Sequence, residues 1–278
     1  MNRIRFMLIT ASPDVAAFAE HHGVDRIFLD QEVKGKTERQ GHIDTHKTAH
    51  TPEQIEAVAG GLEHAEIMVR INPLHDGTRQ EIEAAISHGA RRLMLPMFTS
   101  KDQVAEFLDL VEGRAPVTFL AETPQALVRL SDWLPLLTPG HDEVHFGLND
   151  LSIGMGLSFL FEPMAARLFD LPAEILTRTG MAWGVGGIAR IGRGELPAEI
   201  VLGEHVRLGS GWVILSRAFH GGAASSGELL ENLDFASEIA ALREAEKKWR
   251  LADKKALMDN HCKLAELVFQ LARRRQNT

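Results

Sequence analysis

The feature that most constrains this chain is an alternation. Short apolar runs take turns with longer amphipathic segments, and the pattern recurs eight times. The runs are RFMLIT (5–10), RIFLDQE (26–32), EIMVRIN (66–72), RRLMLPM (91–97), VTFLAET (117–123), EVHFGLN (143–149), MAWGVGG (181–187) and WVILSR (212–217). A strand that is apolar at nearly every position is buried on both faces, which is the condition of a parallel sheet covered by helices. DVAAFAEHHG, TPEQIEAVAGGL, TRQEIEAAISHG, SKDQVAEFLDLVEG, TPQALVRLSDWLPLL and PAEIVLGEH supply helices, several opening on Ser, Thr or Asp and closing on Gly. Eight units within about 220 residues predict a closed α/β (β/α)8 TIM barrel, with an open doubly wound sheet as the structural alternative.

With 278 residues and 45% hydrophobic composition, the chain has enough apolar surface for a core of that size. After Gly222 the character changes to the small-residue stretch GGAASSG and then to charged helical sequence. We therefore expect a catalytic barrel over residues 1–222 and additional C-terminal helices over 223–278. One of these helices would close the barrel. The apolar stripe on the remainder needs a covering surface, either the chain's own barrel or a neighbouring subunit.

A formal net charge of −8 argues against a dedicated nucleic-acid or anionic-membrane binder, so a small molecule is the expected partner. No stretch has the length of a membrane span or the layout of a secretory signal. The single cysteine, Cys262, supports neither an internal disulfide nor a CxxC metal site. A cytoplasmic location is the expectation from these features.

In a parallel barrel the C-terminal strand ends converge on one face, so polar residues there share a pocket. They supply Asp30 and Glu32, Arg70 and Asn72, Pro96, Glu122, and then Asn149 and Asp150 at the end of the sixth run. Carboxylates gathered in a low-dielectric pocket repel one another, and a hard cation such as Mg2+ compensates them while keeping positions for water or substrate oxygens. Glu122 and Asp150 are the first choice of metal ligands. The structural alternative makes each the cap of the helix behind it. Arg70 interrupts an apolar strand; it either forks onto a substrate carboxylate or pairs internally with Glu32 or Asp30.

The loop DQEVKGKTERQGHIDTHKTAHT is long and rich in Lys, Arg and His, offering Lys36, Arg39, His46 and Lys47 for substrate contact or proton transfer. The glycine-rich WGVGGIARIGRG lacks the spacing of a dinucleotide fingerprint or a phosphate loop and reads as the tight exit of the seventh strand.

VTFLAETPQAL, EVHFGLNDLSIGMGL, MVRINP and LMLPMF together resemble the HpcH/HpaI aldolase and citrate lyase beta-subunit family, across roughly residues 20 to 220. The resemblance implies a TIM barrel that makes or breaks a carbon–carbon bond beside a 2-oxo acid or acyl thioester, with Mg2+ or Mn2+ holding the enolate. By position it implies Glu122 and Asp150 as metal ligands and Arg70 as the group that holds the substrate carboxylate and the developing enolate oxygen. Pro96 and Gly147 would shape the pocket beside Asn149 and Arg39. It also implies a homo-oligomer, a trimer or hexamer, with a C-terminal helix exchanged between subunits.

One departure matters. The family's 2-oxo acid aldolases carry Gly-Glu-His after strand two, and here the stretch reads DQEVKG, with Val33 where the basic histidine would stand. Ser87 likewise replaces the supporting aspartate. The base must then come from Glu32 or His46. A phosphoenolpyruvate or enolate condensing enzyme, and a catalytically silent oxo-acid-binding barrel, are the competing readings.

Overall fold

A computed structural model of the chain describes residues 3–35 and 50–276. Eight strands, β1 (Arg5–Ile9), β2 (Arg26–Asp30), β3 (Glu66–Arg70), β4 (Arg92–Leu95), β5 (Val117–Leu120), β6 (Glu143–Phe146), β7 (Ala182–Ile188) and β8 (Trp212–Leu215), close into a parallel barrel in sequence order. β8 pairs back onto β1 through Arg5↔Trp212 to Leu8↔Leu215, which leaves no free sheet edge.

Helices α1 (Pro13–His21), α2 (Pro52–Ala59), α3 (Thr78–Ser87), α4 (Lys101–Val111) and α5 (Pro124–Val128) follow the first five strands. Their starts are set by local chemistry. Ser12, Thr51, Ser100 and Thr123 each accept a hydrogen bond from a first-turn amide, and Thr51 completes a capping box with Gln54. The segment after β5 forms α5, a short α6 (Leu130–Trp133) and a 3-10 turn at Leu134–Leu136 rather than one long helix; Pro135, which has no amide donor, ends the α-helical part after Trp133. Three helices that the apolar pattern does not reveal, α7 (Leu148–Gly154), α8 (Glu162–Ala165) and α9 (Asp170–Thr179), cross between β6 and β7.

The strands end one to three residues earlier than the apolar runs suggest, β7 excepted. Beyond the last rung the chain turns outward into the loops of the C-terminal face. Alternation along the remaining rungs sorts side chains into two compartments. Phe6, Leu8, Ile27, Leu29, Ile67, Val69, Phe119, Val144 and Phe146 face the helices in one continuous apolar layer. Met7, Phe28, Met68, Met94, Leu120 and Trp212 form a second cluster inside the barrel. The same two-residue period places Arg26, Glu66, Arg92 and Glu143 below that cluster and Asp30, Arg70 and Glu122 above it. The barrel interior is thus a charged base, a methionine-rich waist and a charged mouth.

At the base, Arg26 is 1% exposed and donates to Glu66 (Nε, 2.7 Å) and Glu143 (Nη1, 2.8 Å). Trp212 Nε1 donates to the same Glu143 carboxylate at 3.1 Å. Burial alone would raise the Glu143 pKa, but the guanidinium charges and hydrogen bonds of Arg26, with Arg92 and Arg5, hold it below the usual carboxylate range.

The C-terminal helices α12 (Phe235–Arg250) and α13 (Lys254–Gln276) pack on α10 (Ala198–Leu208), and α13 also packs on α8 of the same chain. Leu264, Val268 and Ala272 form the buried stripe of α13. Asn260 donates to the Ile200 carbonyl, and His261 lies 3.1 Å from Glu204. The contact requires a glycine, since a Cβ on Gly203 would stand 2.5 Å from Asn260 Nδ2 and 2.8 Å from Trp249 Cε2. Between them, Ser226–Asn232 forms α11, packed on α1. Among the described residues no helix is long and apolar enough to cross a membrane.

Candidate active site

The mouth of the barrel is assembled from strand ends whose interior-facing positions happen to be polar. Asp30 and Arg70 are the last residues of β2 and β3 and oppose each other in register. Arg70 forks onto Asp30 through Nε at 2.9 Å and Nη2 at 2.7 Å, and its Nη1 lies 3.3 Å from Glu32. Burial alone would lower the Arg70 pKa; the charge and hydrogen bonds of Asp30, then Glu32 and Glu122, more than reverse this and hold the guanidinium charged. Both internal partners expected for Arg70, Asp30 and Glu32, stand beside it. The pairing is one-sided: Asp30 takes the Nε–Nη2 edge, and Nη1 points toward Glu32.

Glu122 follows β5 by two residues and is 3% exposed. It is not a helix cap, because Thr123 performs that role for α5. Its Oε1 accepts from the Met97 amide at 3.3 Å, and Met97 has φ 56°, a left-handed backbone uncommon for a side chain of this size. Met97 lies just past Pro96 at the end of β4, so the turn out of that strand aims an amide at the acid. On the other side the backbone of Gly147 closes in. A Cβ there would sit 2.7 Å from Glu122 Oε2 and 2.8 Å from its Cβ, so only glycine leaves this carboxylate its place.

Asn149 and Asp150 do not end β6 as the apolar run suggested. That strand stops at Phe146, Gly147 is the N-cap, and both residues lie in the first turn of α7. Leu148 opens that helix with its side chain buried in the outer apolar layer. Asp150 is 8% exposed and stands three residues beyond the glycine that touches Glu122, at a helix start where the backbone dipole favours an anion. Ser152 donates to the Asn149 carbonyl at 2.7 Å.

A second network fixes the exit of β2. Asn72 Oδ1 accepts from the amides of Val33 and Lys34, both at 2.9 Å, while its Nδ2 donates to Glu81 at 2.8 Å. Glu81 also receives His75 Nε2 at 2.8 Å, and Lys34 Nζ lies 3.1 Å from His75 Nδ1. Asn72 is thus a loop anchor as much as a pocket residue. His75, Glu81, Met97 and His50, whose Nδ1 accepts from the Asp30 amide, were not singled out from sequence. Val33 is 49% exposed and carries no polar group to the mouth. Lys36, Arg39, His46 and Lys47 lie outside the described residues.

The donor set of the mouth suits a hard divalent cation better than a soft one, since it offers carboxylate oxygens and no thiolate. Among the described residues no group of three or more His, Cys, Asp or Glu side chains could hold a metal alone. Two buried carboxylates with the other positions left to water and substrate is the manner in which Mg2+ is commonly held. The backbone cradle at Gly147, which keeps space beside Glu122 Oε2, fits that arrangement.

A comparison with curated proteins finds no match. The sequence model of one family does match, over residues 3–159, which run from β1 past α7 and include Glu32, Arg70, Pro96, Glu122, Gly147, Asn149 and Asp150. The family comprises lyases and aldolases of small molecules and is in general dependent on divalent metals. A match over more than half of the chain, on a closed parallel eight-stranded barrel, makes this protein a member of the HpcH/HpaI aldolase/citrate lyase family.

Proposed function

We propose that the protein is a metal-dependent carbon–carbon lyase or aldolase acting on a small 2-oxo acid, hydroxy acid or acyl thioester through an enolate. The observation that carries this reading is the gathering, at one barrel mouth, of a guanidinium fixed by Asp30 with the buried carboxylate of Glu122, whose charge acts on it. Glu122 and Asp150 would hold Mg2+ or Mn2+, which supplies charge neutralisation between them and Lewis acidity toward substrate oxygens. Asp30 orients Arg70 by its two hydrogen bonds, and Nη1 is the end that meets the substrate carboxylate and the oxygen on which charge develops. Pro96, Gly147 and Asn149 shape the pocket, with Arg39 as a further contact from the second loop.

In the cleavage direction a base removes the hydroxyl proton, the adjacent carbon–carbon bond breaks, and its electron pair passes into the enolate. A proton then returns to that carbon. Glu32, 2% exposed and 3.3 Å from Arg70 Nη1, is our assignment for the proton carrier, with His46 as the alternative. An exposed valine where the aldolases place a histidine also favours a second reading, a barrel that binds oxo-acids without turning them over.

Exchange of the pyruvate methyl protons with D2O, followed by NMR, separates the two. An enzyme exchanges them in the presence of Mg2+, and Glu122→Gln or Asp150→Asn abolishes exchange with the fold intact. Exchange that persists in both variants would remove the assignment, and its absence in wild type would favour the silent barrel. We further propose a homo-oligomer, for which light scattering in solution should give a multiple of 30.7 kDa; a monomer mass would refute it.

A further inference from the structure

The opposite end of the barrel carries a charge imbalance. In the base layer Arg5, Arg26 and Arg92 share two carboxylates, Glu66 and Glu143. Arg26 and Arg92 take the short contacts: Arg26 donates to both acids, and Arg92 Nε lies 3.0 Å from Glu66. Arg5 receives what is left, a 3.7 Å approach to Glu143 and a stacking contact 3.8 Å from the Trp212 ring, where Arg26 sits at the same distance. Among the described residues its five N–H groups find no hydrogen-bond acceptor.

The neighbouring acids are already committed. Asp25 is claimed by Arg3, Arg243 and the Phe6 amide, and Glu246 by Arg243, Arg250 and the Ile4 amide. Asp142 accepts from the amides of Val117 and Thr138. Six arginines (Arg3, Arg5, Arg26, Arg92, Arg243 and Arg250) thus face five carboxylates (Asp25, Glu66, Asp142, Glu143 and Glu246), a small local surplus of positive charge on a chain of net charge −8.

Two cavities meet at this end, about 560 and 530 Å3 in volume, and Arg5 and Asp25 line both. The larger adds Arg3, Arg250, Ser210 and His205, whose buried Nε2 has no partner among the described residues. Partial burial, and then the charge of Arg26, lower the Arg5 pKa, and the charges of Glu143, Asp25 and Glu66 only partly offset this; its side chain, 42% exposed, reaches the cavity, where an anion would add to that offset. Three guanidiniums, Arg3, Arg5 and Arg250, against one carboxylate, Asp25, line this concave space of small-ligand size, and such a lining suits an oxyanion.

We infer that the N-terminal face of the barrel is a second ligand site, which takes the phosphate group of a small metabolite or free phosphate between Arg5, Arg3 and Arg250. The site is independent of the proposed lyase chemistry, since Arg5 begins β1 and the acids of the mouth lie beyond the other ends of the strands.

Calorimetric titration with inorganic phosphate, and separately with glycerol 3-phosphate against glycerol, tests it. Wild type should bind one phosphate probe saturably at millimolar or lower concentration, and the tighter of the two identifies the source as free phosphate or an ester. Arg5→Gln should weaken binding by about tenfold or more, and Arg5→Lys, which keeps the charge but loses the fork, by less. Arg70→Gln should bind as wild type, because that guanidinium belongs to the mouth. No saturation up to ~10 mM in wild type, equal affinity in a folded Arg5→Gln, or loss in Arg70→Gln instead would each overturn the inference.

Discussion

Replacing Gly147 by alanine isolates the geometry of the proposed metal-binding acid. The backbone of Gly147 has φ −85° and ψ 101°, which any L-residue adopts, so the substitution introduces no main-chain strain. Its whole effect is the new methyl group, which would stand 2.7 Å from Glu122 Oε2, 2.8 Å from Glu122 Cβ and 3.3 Å from Leu120 Cδ1. To restore ordinary contact the carboxylate must withdraw by about 0.7 Å, and a displacement near 1 Å in a positioned group can cost on the order of a hundredfold in rate. We expect Mg2+-dependent exchange of pyruvate methyl protons to fall by about ten- to a hundredfold, with weaker Mn2+ binding. Overpacking should cost about 1–3 kcal/mol of stability, visible as a lower melting temperature but not as loss of fold. Gly154→Ala is the control: its methyl would meet Pro124 Cδ at 2.9 Å and not the acid, so stability should drop while the rate holds. A Gly147→Ala protein that exchanges within twofold of wild type would refute the claim that this glycine sets the position of Glu122.

Asn72→Ala should free the amides of Val33 and Lys34, which share one acceptor, so hydrogen exchange at both should accelerate by about tenfold or more while the core is unchanged; unchanged protection would show that the loop exit is held otherwise. Gly203→Ala should push α12 and α13 off α10 and destabilise the protein by about 1–3 kcal/mol without altering turnover, as read by urea unfolding beside kinetics. Burial pushes His145 down to about 4 and His205 down to about 3 from the ordinary 6.5, so both rings are neutral in the fold. Below that ordinary value the unfolded chain binds protons that the folded chain refuses, and stability is lost as pH falls from 6.5 toward these values. The cost between pH 7 and pH 5 is about 2 kcal/mol per ring; His205→Gln should remove about one ring's share of the stability lost between these pH values in urea unfolding, and an unchanged loss would contradict it.

The fold was legible because eight strands buried on both faces leave a one-dimensional signature, apolar runs broken by capped helices. The strand ends were less legible, because the apolar pattern runs on past the last rung: Leu148 continues the run of β6 but belongs to a helix. Glu122, Arg70 and Asp30 could be found as polar interruptions at the ends of apolar runs. The base layer carried the same signal at the other end, a charged residue opening β2, β3, β4 and β6, and only the two-residue period shows that Arg26, Glu66, Arg92 and Glu143 all point inward. Met97, His75 and Glu81 could not be read off. Their roles depend on a left-handed turn and on contacts between separate loops, and neither leaves a mark in local composition.

The central claim is that Glu122 and Asp150 hold one cation opposite Arg70. A crystal grown with Mg2+ and soaked in oxalate, a mimic of the enolate of pyruvate, tests it most directly. The account predicts a single ion bound by both carboxylates, with an oxalate oxygen facing Arg70 Nη1 and Asp30 still holding the other edge of the guanidinium. An ion bound elsewhere, or oxalate seated at the mouth with neither acid touching a metal, would contradict it.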